Sequence, residues 1–182
     1  AVGDRAESSK ANPDCYGGFG TKLYWKGLMV NATFTYSVGA DRFYDEEKSS
    51  AGDINAYNVS KNVLKSWTMN PGVDRGYPRA MYYGWGSNSI ITDRYVHDAS
   101  FLRLSALNIS YRLPKRLFVS SIVDAIDLTF QATNLFTWTK YPCMDPQGNF
   151  STSYSAFYNM GIDYSSYPSA RTYNVGIKIT LK

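Results

Sequence analysis

Apolar and polar side chains alternate strictly from Leu28 to Gly39, and no other pattern in the chain restricts its fold so tightly. One phase holds apolar side chains at every position, namely Leu28, Val30, Ala32, Phe34, Tyr36 and Val38. The other phase is almost wholly small and polar. Successive side chains of a β-strand point to opposite faces, so this segment is predicted to be a strand with one apolar and one polar face.

A second alternating run precedes the first, and Lys26-Gly27 joins the two. A two-residue connection that contains Gly is typical of a tight hairpin. Such a turn places Trp25 beside Leu28 and Phe19 opposite Phe34. A slip by one residue would turn the whole apolar phase to the polar side, so turn and pattern predict one register.

Three more segments complete a set of five predicted strands. Ile126 to Thr133 and Tyr173 to Lys182 alternate cleanly, whereas Phe101 to Leu113 changes phase midway. A β-bulge near Ala106 would reconcile its two halves. The apolar phases predict one outward belt, made of Leu28, Val30 and Phe34, then Ile126, Leu128 and Phe130, and finally Val175, Ile177 and Ile179.

Long and short connections alternate between these strands. The insertions at about 40–100 and 140–170 are long, whereas Lys26-Gly27 and the connection after Pro114 are short. Val59, Val63 and Trp67 recur every four residues, which predicts a short helix in the first insertion, with Asn55 as its cap. The layout predicts an all-β, antiparallel up-and-down meander that is part of a large transmembrane β-barrel with long extracellular loops. The alternative is a soluble β-sandwich or barrel module that binds carbohydrate or protein.

Composition excludes several classes of function. One His and two Cys leave little material for a catalytic or metal site, so we expect no enzyme activity, no metal and no cofactor. A net charge of +4 without basic blocks argues against nucleic acid. His97 is interpreted as a solvated loop residue, and so are the acidic residues of the insertions, namely Asp41, Asp45, Glu46, Glu47, Asp145 and Asp163. No disulfide is predicted between Cys15 and Cys143. The 182 residues are expected to form a single unit.

Several strings in the chain are more specific than this pattern. They are Asn12-Pro13-Asp14, Tyr16-Gly17-Gly18-Phe19-Gly20, Ser66-Trp67-Thr68, RGYPRA at 75–80, Phe101-Leu102-Arg103-Leu104, SYRLPK at 110–115, NLFTWTKY at 134–141 and Asp145-Pro146. Together and in this order they resemble the C-terminal end of the SusC/RagA-like family of TonB-dependent outer-membrane receptors. The resemblance runs from about Asn12 to Leu181.

The resemblance implies a plugged barrel of about 22 strands that imports oligosaccharides or peptides across a Gram-negative outer membrane. Five strands would then be the C-terminal portion of that barrel, without its plug domain. The implied partners are the remainder of the same barrel and its plug, a SusD-like surface lipoprotein, TonB through the missing N-terminal part, and the lipid bilayer. The family's C-terminus is periplasmic, so both long insertions are expected to face outward.

Aromatic side chains of the second insertion are the candidate substrate-binding residues. A ring offers an apolar face to a sugar at little entropic cost. The candidates are Tyr154, Phe157, Tyr158, Tyr164 and Tyr167. Packing against neighbouring loops or the lipoprotein is the competing interpretation of these rings.

Overall fold

The structure is a computed structural model, and it describes residues 9–51, 53–54, 58–66, 77, 79, 81–82, 92–117, 122–148, 160–164 and 166–182. Its strands are β1 Cys15–Trp25, β2 Leu28–Val38, β3 Asp41–Tyr44, β4 Asp53–Ile54, β5 Met81–Tyr82, β6 Val96–Asp98, β7 Phe101–Arg112, β8 Val123–Thr139, β9 Ile162–Asp163 and β10 Thr172–Leu181. One α-helix, α1, spans Asp45–Ala51. Short 3-10 helices lie at Lys61–Lys65, Asp93–Tyr95 and Lys115–Leu117.

The chain divides into two units. The sheet unit comprises residues 13–39, 100–140 and 168–182, and the loop unit comprises 1–12, 40–99 and 141–167. Within the described residues, no helix has the length and apolar character needed to cross a membrane.

The sheet unit contains the five long strands in the order β1-β2-β7-β8-β10, each antiparallel to its neighbour. Consecutive long strands are neighbours, so the predicted meander is confirmed. Both short connections lie at one end of the sheet, and both long insertions leave it at the other end.

The predicted hairpin register is confirmed. Trp25 pairs with Leu28 and Phe19 with Phe34, whose rings stack with centroids 5.0 Å apart. Lys26 and Gly27 have φ angles of 45° and 89°, and two positive φ values are what a type I′ hairpin turn requires. The turn is tied to the next strand, because the Arg112 amide donates to the Gly27 carbonyl at 2.9 Å.

The pairing of the strands extends one apolar and one polar face across all five of them. One row of partners is wholly apolar, with Leu23, Val30, Ile109, Phe130 and Val175. The neighbouring row on the other face is wholly polar, with Lys22, Asn31, Asn108, Gln131 and Asn174. Paired residues of adjacent strands point to the same side, so the nine residues of the predicted belt share one face.

The phase change in β7 is resolved by a bulge at Ser105. Thr33 pairs with Ala106 but Phe34 pairs with Leu104, so Ser105 is the extra residue. Its hydroxyl lies 2.6 Å from that of Thr35. Strand β8 also carries an additional residue at this height, where Asn134 adopts a φ of 51°. The bulge predicted near Ala106 is thus confirmed.

The most buried stretch of the sheet unit is the start of β7. Phe101, Arg103 and Leu104 of the FLRL string are all buried, and so is Ala132 of β8, which pairs with Leu107. The guanidinium of Arg103 donates to the hydroxyls of Thr137 at 3.0 Å and Ser169 at 3.4 Å. A buried cation is therefore accommodated by hydroxyl acceptors.

The loop unit is built on a small sheet in the order β6-β3-β9. Helix α1 follows directly after β3. The helix predicted around Val59, Val63 and Trp67 is shorter than their spacing implies. That region forms a 3-10 helix at Lys61–Lys65, because Ser60 caps it by accepting a hydrogen bond from the Asn62 amide at 3.2 Å. Asn55 and Trp67 lie outside the described residues.

Candidate functional site

The predicted substrate-binding aromatics are only partly visible. Tyr154, Phe157 and Tyr158 lie outside the described residues. Tyr164 and Tyr167 are both exposed in the loop unit, Tyr167 at 94%. Their role in binding stays a prediction, since exposure is a requirement for binding and not a demonstration of it.

A buried carboxylate organises the first long insertion instead. Glu47 on α1 is 6% exposed, which corrects its interpretation as a solvated residue. Its Oε2 lies 2.7 Å from His97 Nε2 on β6. Its Oε1 accepts hydrogen bonds from the Tyr77 hydroxyl and from Asn62 Nδ2, the latter at 3.4 Å. One side chain thus joins four separate segments of the chain, because a buried carboxylate is stable only when its oxygens find donors.

Tyr77 links this carboxylate to two of the family strings. It belongs to the RGYPRA string and forms an isolated parallel bridge with Ser66 of the Ser66-Trp67-Thr68 string. Burial and the hydrogen bond to Glu47 raise the pKa of the Tyr77 hydroxyl to about 12. The phenol therefore remains a hydrogen-bond donor at neutral pH.

A second buried carboxylate holds the second insertion. Asp163 on β9 is 1% exposed, and its Oδ2 accepts a hydrogen bond of 2.9 Å from the Tyr141 hydroxyl. Its Oδ1 accepts from the Ser166 amide at 3.1 Å. Gly148 lies so close that a Cβ there would be 2.9 Å from the Asp163 carboxylate. Asp145, also buried, accepts a hydrogen bond from the Gln147 amide at 3.0 Å. The solvated interpretation of these two acids is therefore also wrong.

The two networks meet at aromatic rings. Tyr141 lies edge-on to the His97 imidazole, with centroids 6.3 Å apart, and 6.2 Å from the Tyr44 ring. Burial raises the pKa of the Tyr141 hydroxyl, and the Asp163 charge raises it further. Burial likewise raises the pKa of the Tyr44 hydroxyl and of the Cys143 thiol. All three groups are therefore held neutral at physiological pH.

His97 is consequently not a solvated loop residue, since it packs between a buried carboxylate and a tyrosine ring. No three His, Cys, Asp or Glu side chains among the described residues are placed to hold a metal ion. Cys15 and Cys143 are free thiols. The carboxylates, phenols and imidazole satisfy one another, which is the chemistry of a structural brace that positions loops.

Sequence reasoning missed this brace because its members are far apart in the chain. Glu46 and Glu47 are identical neighbours, and no periodicity in a seven-residue helix separates the exposed one from the buried one. The family strings were a usable signal, since Ser66, Tyr77, Tyr141 and Asp145 all belong to them.

Sequence comparison finds three receptors. TonB-dependent receptor P3 of Formosa agariphila is 30% identical over 98% of this chain. TonB-dependent receptor P26 of the same organism is 26% identical, and TonB-dependent receptor SusC of Bacteroides thetaiotaomicron is 24% identical over 97% of the chain. The chain spans 16 to 17% of the length of these relatives. No protein-family model matches it.

Structural comparison gives the same answer. The RagAB peptide importer in its closed-closed state matches 96% of this chain with a TM-score of 0.69 and 26% identity. The match covers 18% of the importer chain. The open-open state of the same importer matches with a TM-score of 0.63.

These relatives are receptors and an importer, so the prediction that the chain is not an enzyme is confirmed, and so is its outer-membrane localisation. The sequence strings, the meander and its register all agree with the resemblance. This chain is homologous to a segment of the SusC/RagA-like TonB-dependent receptors.

Proposed function

We propose that this chain forms barrel wall and outer-mouth loops of a TonB-dependent importer of oligosaccharides or peptides. The observation that carries the proposal is the apolar face of the sheet unit. Val175 and Ile177 are 81% and 66% exposed, and Leu23, Trp25 and Leu128 on the same face are exposed too. A contiguous apolar surface of this kind needs lipid or another protein against it. The soluble module is disfavoured, because its apolar side chains would converge in a dry core.

The opposite face supports a wet interior for the barrel. Its central row consists of amides and one lysine, and the next row consists of Gly20, Thr33, Ala106, Thr133 and Thr172. Small polar side chains and amides are typical of a barrel lumen. All 182 residues would then be a single, C-terminal portion of the barrel, with the two long insertions on its outer side.

The proposed partners follow from what the sheet lacks. Strands β1 and β10 end its order, so each offers an edge to the remainder of the same barrel. The lumen face is offered to the plug, and the apolar face to the lipid bilayer. A SusD-like surface lipoprotein would cover the outer loops, and TonB would act through the missing N-terminal part. The name of the RagAB relative as a peptide importer supports peptides as one substrate class.

Exposed rings of the second insertion remain the proposed substrate contacts. Tyr164 and Tyr167 are open to solvent in the loop unit, and Tyr154, Phe157 and Tyr158 precede them in the same insertion. Rings of this kind provide stacking surface for a sugar or a peptide side chain.

Fluorescent labels at two neighbouring residues of β10 test whether the sheet unit forms part of a barrel wall. Val175→Cys and Asn174→Cys are introduced separately into the receptor that carries this chain, with Cys15 and Cys143 replaced by Ser. Each variant is labelled with an environment-sensitive fluorophore and reconstituted with lipids that carry a quencher in their acyl chains. We expect a blue-shifted, quenched label at position 175 and an unquenched label at position 174, because adjacent strand residues face opposite sides.

Equal, water-like emission from both positions would contradict the wall assignment. Folding of the protein as a detergent-free monomer would favour the soluble module instead.

A further inference from the structure

We propose that the short-connection end of the sheet unit binds anionic phospholipid headgroups, an inference that rests on the membrane placement proposed above. We call this end the basic end and define it by its cations, which are Lys26, Arg112, Lys115, Arg116, Lys178 and Lys182. They are brought together by the turn, by the pairing of Asp127 with both Arg112 and Lys178, and by the connection from β7 to β8.

The basic end holds the whole net charge of the chain. Its six cations face two acidic residues, Asp124 and Asp127, which leaves a charge of +4. The complete chain has 19 basic and 15 acidic residues and the same net charge of +4. Elsewhere the two signs therefore cancel, so the positive potential is concentrated at one end of the sheet.

Both acidic residues are already engaged. Asp127 accepts two hydrogen bonds from the Arg112 guanidinium, at 2.7 and 3.1 Å, and Asp124 lies 2.8 Å from Lys115 Nζ. Within the part of the chain that the structure describes, Lys26, Arg116 and Lys182 form no ion pair, whereas Lys178 lies on the polar face beside Asp127. Three cations are thus left to attract an anion from outside the chain.

The basic end continues directly into the apolar face. The Lys26 ammonium lies 5.4 Å from the centroid of the Trp25 ring, and Trp25 is an exposed member of the apolar face. Trp and Lys placed together are typical of the boundary between hydrocarbon and headgroups, where the ring lies at headgroup level and the long side chain reaches water.

The position of the basic end beside the apolar face favours a phospholipid as the ligand. A phospholipid has an apolar body joined to an anionic head, in the same order as the apolar face and the basic end. An acidic protein would match the cations but would not cover the exposed apolar side chains beside them. Charged lipid surfaces attract clustered Lys and Arg with an energy that falls within a Debye length.

Lipid retention measures the preference. The receptor that carries this chain is reconstituted in bilayers of phosphatidylcholine with about one third phosphatidylglycerol and then extracted with its surrounding lipid, and the ratio of the two lipids is measured by mass spectrometry. We expect phosphatidylglycerol to be enriched around the protein. The triple variant Lys26→Gln, Arg116→Gln, Lys182→Gln should lower that enrichment at least about fivefold, the effect of about one basic residue near an anionic surface.

The matched control is Lys61→Gln, Lys65→Gln, Lys140→Gln, which removes the same charge from exposed residues that do not belong to the basic end. The control should retain the enrichment. Equal enrichment in the wild type and the basic-end variant, or equal loss in both variants, would overturn the inference. If the basic-end variant kept its lipid enrichment but lost binding to an acidic protein, the cations would be assigned to that protein instead. If the receptor enters the bilayer but shows no lipid preference, only this inference is contradicted. If the receptor fails to enter the bilayer, the proposed function is contradicted as well.

Discussion

At the scale of single residues, position in the brace decides what a side chain contributes. Glu46 and Glu47 are consecutive on α1, yet Glu46 is exposed while Glu47 receives hydrogen bonds from Tyr77 and Asn62 and contacts His97. The two residues therefore provide an internal comparison of the same substitution in water and in a buried network.

Glu47→Ala is expected to destabilise the first insertion by about 3 kcal/mol, because it leaves buried donors without their acceptor. Amide hydrogen exchange in β3 and β6 should then accelerate about 100-fold. Glu46→Ala should change exchange by less than about threefold, as expected for a surface position. Similar effects of the two substitutions would show that the Glu47 network does not hold the insertion together.

The titration of Tyr77 provides a second test at this scale. Its pKa is raised to about 12, so the folded form keeps a proton that the unfolded chain releases near its ordinary value of 10.0. The stability that this proton contributes is full below about pH 10 and is lost as the pH rises through about 12. A difference titration of wild type against Tyr77→Phe at 295 nm should show one phenol that ionises near pH 12. Ionisation near pH 10 would mean that the hydroxyl is neither buried nor bonded to Glu47.

At the scale of elements, the hairpin was predictable and the loop unit largely was not. Two independent signals, period-two alternation and a Lys-Gly turn, determined the pairing of Trp25 with Leu28. A wrong register would have exposed every apolar side chain of β2 to the polar side. The brace depends on four segments that meet only after folding, so no local pattern in any one of them could reveal it. The helix of the first insertion was predicted too long, because the spacing of Val59, Val63 and Trp67 was given more weight than Ser60, which caps the helix.

The turn residues make the hairpin testable. Gly27→Ala should destabilise the sheet unit by about 1–2 kcal/mol, because φ is 89° and the new Cβ would lie 2.9 Å from the Arg112 carbonyl oxygen. Lys26→Asn should be neutral or stabilising, since Asn tolerates a positive φ in the first turn position. Urea unfolding from lipid vesicles measures both. A stable Gly27→Ala protein would show that this turn does not determine the pairing.

At the scale of the whole molecule, the proposed barrel determines the state of the two sheet edges. In an isolated five-stranded sheet, alternate amides of β1 and β10 point outward without a strand partner. In a closed barrel every amide of both strands is paired. Hydrogen exchange of the membrane-embedded receptor should therefore protect consecutive amides of β1 and β10 as uniformly as those of β2. An alternating pattern of fast and slow exchange along both edge strands would contradict closure.

The bulge at Ser105 has a consequence for how such a chain can accumulate insertions and deletions. Beyond this point β7 presents odd-numbered residues such as Ile109 to the apolar side, whereas before it even-numbered residues such as Leu104 lie there. Deleting Ser105 alone would exchange lipid-facing and water-facing side chains for one part of the strand while leaving its neighbours untouched. A compensating single insertion elsewhere in β7 would return side chains to their original faces only beyond the inserted residue. Length changes in homologous receptors should therefore accumulate in the long insertions and be rare between Phe101 and Arg112, and aligned sequences should show this as a stretch without gaps.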